Sequence, residues 1–340
     1  MKSKKANAKT GDFWQSMPKP FFVLAPMANV TDYAFRSMFA KYGKPDVMWT
    51  EFVSADGLVS SGKDRLMIDL KYSRKERPVV AQLFTGHPPV MEKAAKIVLD
   101  LGFDGLDINM GCPDRAVERQ GGGASLIKNP KFAFEVLQSA RNGVEGKIPV
   151  SIKTRIGYNK FDPDWIRSVL LWNIPVLTVH LRTRKEMSLV PAHWELVPEI
   201  VKLRNEICPQ TLLIFNGDVD SISHGAKLLN EFGGDGVMVG RGIFGKPWFF
   251  SDIPKVRKNF PRIYNIVNEK SPKERLTILL EHTKLFVKSF KGYKNFDVMK
   301  KHFKAYVSGW DGARELRVEL MEAKDPKQVF DILKKAIKSM

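Results

Sequence analysis

Gly105-Leu106-Asp107-Ile108-Asn109-Met110-Gly111-Cys112-Pro113 begins as an apolar run rich in β-formers and stops abruptly at a turn. A glycine and a proline bracket one cysteine, so the stretch reads as a strand ending in a tight loop that holds a thiol at its mouth. The chain has only two cysteines, Cys112 and Cys208. A disulfide framework is therefore not expected, and a lone cysteine on a post-strand loop is a candidate proton donor or nucleophile. The bland alternative is a small buried hydrophobe, the usual state of a free cysteine.

Working outward, the same kind of run recurs along the chain. Eight short β-branched runs are legible: Phe21–Ala25, Val47–Phe52, Val79–Phe84, Gly105–Asn109, Val150–Thr154, Val176–His180, Leu212–Asn216 and Gly236–Gly240. Segments with helical spacing lie between them. One is Val90, Ala94, Ala95, Ile97, Val98 and Leu101, closed by Gly102; others are Phe132 to Ala140 and Ile200 to Ile207. Strands alternating with helices predict a parallel sheet, and eight such units predict an α/β fold of the (β/α)8 (TIM) barrel type. After Trp248-Phe249-Phe250 the pattern changes. The stretch from Pro254 to about Tyr264 reads as irregular and basic, and helical patterns without strands follow at Glu274–Phe290, Val298–Val307, Glu315–Met321 and Pro326–Met340. The expected organisation is a basic tail over 1–14, a barrel over 15–252 and an all-α helical bundle over 253–340.

Charge sharpens this division. The net charge of the 340 residues is +18. Residues 1–10 carry four lysines and no acid, and residues 251–340 carry a net +10, so the barrel region holds only +4. Such asymmetry points to a polyanionic partner such as nucleic acid, against the alternative of a solvated lysine-rich surface. No apolar run approaches the roughly 18–20 residues of a membrane span. The basic N-terminus has no apolar signal core behind it, and with few cysteines the expected compartment is the reducing cytoplasm. No membrane partner is expected, and the chain is expected to act as a monomer.

Barrel enzymes carry their chemistry at the C-terminal ends of the strands. Polar residues collect there strand after strand: Pro26-Met27-Ala28 after the first, Gln82 on the third, Asn109 and Cys112 after the fourth, Lys153 and Arg155 on the fifth, and His180 on the sixth. Asn216-Gly217-Asp218 ends the seventh and Gly240-Arg241-Gly242 the eighth. Small residues after the last two strands let backbone N–H groups approach a phosphate, which Arg241 could pair. A lysine beside a histidine suits the electron-rich edge of a reduced flavin. No metal-ligand spacing is evident: His180 and His193 are far apart, and Cys112 has no neighbouring His or Cys.

These residues fall in motifs that together resemble the tRNA-dihydrouridine synthase family over nearly the whole chain. They are Ala25-Pro26-Met27-Ala28 with Val30-Thr31-Asp32 and Phe35-Arg36; Ala81-Gln82-Leu83-Phe84; Asp107 to Pro113; and Lys153-Thr154-Arg155-Ile156-Gly157. Further on come Thr178-Val179-His180 with Arg182-Thr183-Arg184, Asn216-Gly217-Asp218-Val219, and Gly240-Arg241 with Gly245 and Pro247-Trp248. The resemblance implies an FMN-dependent reductase of uridine in tRNA, with NADPH as reductant. It implies that Cys112 protonates C5 of uracil while C6 receives a hydride. It implies that Pro26, Met27, Ala28, Gln82, Lys153 and His180 contact the flavin ring, and that Asn216, Gly217, Asp218, Gly240 and Arg241 hold the ribityl chain and phosphate. Asn109, with Arg155, Arg182 and Arg184, would hold the base, Arg182 and Arg184 being alternatives for the closest contact. Met299-Lys300-Lys301-His302-Phe303 and Gly312 to Arg317 resemble the family's RNA-binding helices, making Lys300, Lys301 and Arg317 candidate RNA contacts.

Three departures stand out. Asn29 replaces a usual glycine, which calls for a residue tolerant of left-handed backbone. Leu181 replaces a small residue after the strand-six histidine and is expected to alter the pocket wall. Ser188–Trp194 is an unusual form of its loop. Two other functions fit part of this pattern: a flavin barrel enzyme acting on a free pyrimidine, which has no use for a +10 appendage, and a catalytically silent RNA-binding barrel, which has no use for Cys112, Lys153 and His180 together.

Overall fold

The computed structural model describes residues 12–262 and 268–340. Eight parallel strands run β1 (Phe21–Leu24), β2 (Met48–Ser54), β3 (Val79–Phe84), β4 (Gly105–Met110), β5 (Val150–Arg155), β6 (Val176–His180), β7 (Leu212–Asn216) and β8 (Gly236–Val239). Each matches its predicted run within two residues. Their spatial order is β1-β8-β7-β6-β5-β4-β3-β2. The ring closes where Leu24 N–H donates to Val47 O (3.1 Å) and Asp46 N–H to Phe22 O (2.9 Å). The fold is the expected barrel. Burial on both faces is why the strands read as continuous apolar runs rather than alternating ones.

Helices cover the barrel. Prolines at the first turn mark the starts of Pro88–Asp100, Pro130–Gly143 and Pro163–Leu171, where the missing N–H costs nothing. Residues 12–16, assigned in part to the tail, form a 3-10 turn instead, and Trp14 is buried against Phe21 and Trp49. The barrel's packing thus begins at Phe13, which packs on the same cluster; residues 1–11 of the predicted tail lie outside the described residues. The stretch read as irregular after Phe250 includes a helix, Ile253–Asn259, whose Arg257 reaches back to Asp46 (2.6 Å) and Pro20 O (3.2 Å) of the barrel. By its contacts this helix belongs with the barrel.

After Asn259 the α-helices among the described residues are Pro272–Phe290, opened by a Ser271/Glu274 capping box, then Lys300–Tyr306, Ala313–Glu322 and Pro326–Ser339. Pro272–Phe290 packs on the first barrel helix, Tyr33–Tyr42, with His282 stacked on Phe35 at 5.0 Å. Among the described residues, no helix is long and apolar enough to cross a membrane.

Candidate active site

Side chains alternate along a strand, so each strand sends every second residue into the barrel. At the N-terminal end these are apolar: Phe21, Val23, Trp49, Val80, Val176, Ile214 and Met238 form one cluster with Trp14. Two positions further along they turn polar, and strand register lines them up. Gln82 lies opposite Asp107, and Asp107 opposite Ser151. Asn109 lies opposite Lys153, Arg155 opposite His180, and His180 opposite Asn216. The barrel is a dry plug below and a ring of polar groups above.

That ring opens into a cavity. Of the predicted residues, Pro26, Met27, Lys153, Arg155, His180, Arg182, Asn216, Gly217, Asp218, Gly240 and Arg241 line it. Gln82 and Asn109 do not; both are buried among the strands. Cys112 is half-buried and adjoins the cavity through Pro113, which does line it. Ala28 is exposed in the loop after β1. Asn29 takes φ 55°, the left-handed backbone expected of it, and its N–H donates to the buried Glu51 carboxylate. Leu181, expected in the pocket wall, is instead fully buried in the main core, because it faces the helices rather than the barrel lumen. Gly217 is required: at φ 149° its Cβ would lie 2.5 Å from that of Ala192.

Cys112 is held by its backbone. Its N–H and that of Gly111 both donate to Asn109 Oδ1 (2.9 and 3.1 Å), and its carbonyl accepts from Ala124 N–H (2.9 Å). Burial pushes the thiol up, so it stays protonated at neutral pH. Cys208, by contrast, is buried and bonded to Asn173 and Thr211, a packing role. Burial, then the nearby Arg155 charge, brings Lys153 down to about 8. Burial, then Arg155 and Lys153, holds His180 well below its ordinary value, so the imidazole is neutral. Among the described residues His180 Nδ1 is buried with no partner, and His180 lines the cavity, so that nitrogen is an open position for a ligand's polar atom. At the β7–β8 end, burial pushes Asp218 up, but the Arg182 bond, the Ala192 N–H and the Arg182 and Arg241 charges together more than offset it, and the carboxyl sits below its ordinary range. Asp218 also accepts from Arg241 (2.8 Å). Two guanidiniums against one carboxylate leave that corner net positive, fit for an anion.

The other predicted cations are engaged differently. Arg155 donates to Gly111 O (2.8 Å), Thr183 O (3.0 Å) and Met187 O (3.1 Å), and Arg182 to Val190 O (2.5 Å). They brace the loop after β6. Arg184 pairs with Glu118 and does not line the cavity. Lys300 is tied to Asp297 (2.8 Å), Arg317 donates to Val307 O (2.8 Å), and Lys301 is half-buried. Met187 and Ser188 line the cavity without having been singled out individually. For Ser188 the unusual composition of Ser188–Trp194 was a signal; Met187, just before that stretch, carried none. Among the described residues, no group of three or more His, Cys, Asp or Glu is placed to hold a metal.

Comparison with known proteins fits this geometry. The sequence profile of the dihydrouridine synthase family matches residues 23–340. The chain is 42% identical to the "Probable tRNA-dihydrouridine synthase 2" of Bacillus subtilis (strain 168), over 95% of this chain and 96% of that one. It is 40% identical to a "Probable tRNA-dihydrouridine synthase" of Staphylococcus epidermidis, over 95% of each. Among solved structures, the histamine dehydrogenase of Rhizobium sp. 4-9 shares the fold at TM-score 0.52 and 14% identity, covering 79% of this chain and half (50%) of that one. A 2-naphthoyl-CoA reductase does so at TM-score 0.53 and 10% identity, covering 69% of this chain and 50% of that one. From its profile match and the relatives it aligns with end to end, the chain belongs to the dihydrouridine synthase family.

Proposed function

We propose that this chain reduces the C5–C6 double bond of uridines in tRNA to dihydrouridine, with FMN as cofactor and NADPH as electron source. The observation that carries the reading is the convergence of Lys153, His180 and the backbone-locked Cys112 at one barrel mouth. The residues fit a flavin. Among the described residues His180 Nδ1 lacks a partner, Lys153 supplies a desolvated cation, and the Arg182–Asp218–Arg241 corner is net positive. Lys153 and His180 would meet the ring with Pro26 and Met27. Asn216, Gly217, Gly240 and Arg241 would hold the ribityl chain and phosphate. When bound, FMN supplies the hydride for C6.

The chain's own residues do the rest. Asn109 holds the Cys112 loop, and Arg155 and Arg182 brace the β6 loop that walls the mouth where the base would lie. Cys112 gives its proton to C5; its raised pKa suits it as an acid, and the Lys153 and Arg155 charges support the thiolate left behind. A base inside stacked RNA cannot reach the mouth, so the uridine must be flipped out. The helices beyond Asn259 grip phosphates, which sets the register of the RNA but reads no sequence. In this reading the enzyme works as a cytoplasmic monomer and needs no metal.

Purified protein should carry flavin absorbance, release FMN on denaturation and, once reduced, be reoxidised by tRNA lacking dihydrouridine. Cys112→Ala should keep FMN and slow that reoxidation by about 10²–10⁴-fold. Colourless protein, or equal reoxidation by the mutant, would remove the reading or the role of Cys112 respectively.

A further inference from the structure

We infer that Asp107 is the positioning residue for Cys112, acting through Gln82 and Asn109. The four residues form one hydrogen-bonded relay across β3, β4 and the loop after it. Ser151 Oγ donates to Asp107 Oδ1 (2.5 Å), and Gln82 Nε2 donates to Asp107 Oδ2 (2.6 Å). Asn109 Nδ2 donates to Gln82 Oε1 (3.0 Å). Asn109 Oδ1 then accepts the N–H groups of Gly111 (3.1 Å) and Cys112 (2.9 Å).

The polarity of this relay is fixed from both ends. Backbone N–H groups can only donate, and an ionised carboxylate can only accept. Each amide between them can turn its oxygen or its nitrogen either way, but only one orientation satisfies both ends. With Asp107 ionised, Gln82 must present Nε2 below and Oε1 above, and Asn109 must present Oδ1 to the Cys112 loop. A neutral group at 107 removes that constraint, because it can donate as well as accept. Asp107, Gln82 and Asn109 are all buried, so no solvent competes to reset the amides. The charged and titratable groups facing Asp107 are Lys153 on β5 and, beyond it, Arg155 and Cys112. Burial raises the Asp107 carboxyl to about 6, against the opposing Ser151 and Gln82 bonds and the Lys153 charge. The constraint is therefore in force at neutral pH and is lost as pH falls through that value.

The inference rests on the reading of Cys112 as the acid, and its test separates the two. Reoxidation of the reduced holoenzyme by unmodified tRNA is followed from pH 5 to 9. Wild type should slow below about pH 6. Asp107→Asn should be about tenfold slower at neutral pH with unchanged KM for tRNA, and should lack the acid limb. Ser151→Ala removes a donor that stabilises the carboxylate, so it should move the limb to higher pH; it also serves if Asp107→Asn does not fold. Gln82→Met should match Asp107→Asn, and the double variant should be no slower than either, since both break one relay. An acid limb retained in Asp107→Asn and unmoved in Ser151→Ala, or multiplicative losses in the double variant, would overturn the inference. Iodoacetamide labelling of Cys112 in the holoenzyme, located by mass spectrometry, needs no tRNA. It should be several-fold faster in Asp107→Asn, and an equal rate counts against the relay. Should wild type fail to be reoxidised by tRNA, the function falls and the labelling still decides the relay.

Discussion

Lys294 should hold the helical part to the barrel in a pH-dependent way. Its Nζ lies 2.6 Å from Glu51 and 2.8 Å from Asp69, with Lys294 only 9% exposed and Glu51 5%. Removing one partner of a buried ion pair costs about 3–5 kcal/mol, because the other charge is left unpaired. Here the loss limits itself. Burial already holds the Glu51 carboxyl above its ordinary range despite the lysine. In Lys294→Met only the Asn29 N–H still opposes that burial among the groups bonded to Glu51, and the carboxyl holds its proton to higher pH. A carboxyl with a raised folded pKa binds more protons folded than unfolded, so its contribution is greatest in acid and is lost as pH rises through the folded value. In the variant that window extends further upward, at ~1.4 kcal/mol per pH unit.

The expected cost is therefore about 1–2 kcal/mol at pH 6, the lost hydrogen bonds alone. At pH 8 it approaches the full 3–5 kcal/mol or so of an unpaired buried charge. For a chain of this size the depression of Tm should widen by about 1–6 °C between the two pH values. Thermal melts followed by circular dichroism at pH 6, 7 and 8 measure it, as Tm rather than free energy because a chain with two packed parts need not unfold in one step. Lys294→Arg should recover most of the loss, and adding Glu51→Gln to Lys294→Met should abolish the widening. A depression that is the same at all three pH values, or a widening that survives Glu51→Gln, would refute the reasoning. Because Glu51 also accepts the Asn29 N–H beside Ala28, flavin retention in Lys294→Met should fall most at high pH.

Other outcomes are expected from the site and the basic helices. Arg241→Ala and Lys153→Ala should each weaken FMN retention, read from the flavin-to-protein absorbance ratio. Flavin reduction in wild type should slow above about pH 8 as Lys153 loses its proton, and Lys153→Met should be uniformly slow across that range. Full-length protein should bind tRNA with a steep salt dependence. Neutralising the exposed Lys284 and Lys288 on Pro272–Phe290 and Lys291 just past its end should reduce the log–log slope by about two. The same treatment of Lys300, Lys301 and Arg317 should change the slope less and lower Tm, since these are tied or half-buried. A chain ending near Phe250 should lose flavin and aggregate. It strips His282 and His302 from Phe35, rings 5.0 and 4.8 Å apart; monodisperse, flavin-loaded truncated protein would contradict that packing.

Much of this architecture was legible in the sequence because it rests on local rules. Parallel barrel strands are buried on both faces, so Val79–Phe84 and Val176–His180 announce themselves as unbroken runs and match observation to the residue. Strand-end chemistry follows from period-two alternation: once Val80 points inward, so does Gln82, and register sets it against Asp107. The left-handed Asn29 was legible for the same reason, being a local steric matter. The helix over Ile253–Asn259 was not. Its sequence is basic and short, and what makes it worth forming is distant: Arg257 finds Asp46 211 residues away.

The arginines mark the deeper limit. A guanidinium near a strand end reads equally as a substrate clamp or a structural brace, because its five donors suit either. Arg155, Arg182 and Arg184 are distinguished only by what the fold delivers to them. For Arg155 that is the carbonyls of Gly111, Thr183 and Met187. For Arg182 it is Val190 O and Asp218, and for Arg184 it is Glu118. None of those partners is predictable from spacing, since all but Glu118, which sits on a short helix, lie on loops whose path is set by packing. The consequence is functional. Arg155 joins the Cys112 loop at Gly111 to the β6 loop at Met187, so the proton donor and one wall of the cavity are braced by one side chain. Replacing Arg155 should therefore disturb both at once, whereas losing Arg184 should disturb its pairing with the helix Arg115–Arg119 and its longer bond to Pro113 O (3.4 Å), leaving the β6 wall in place.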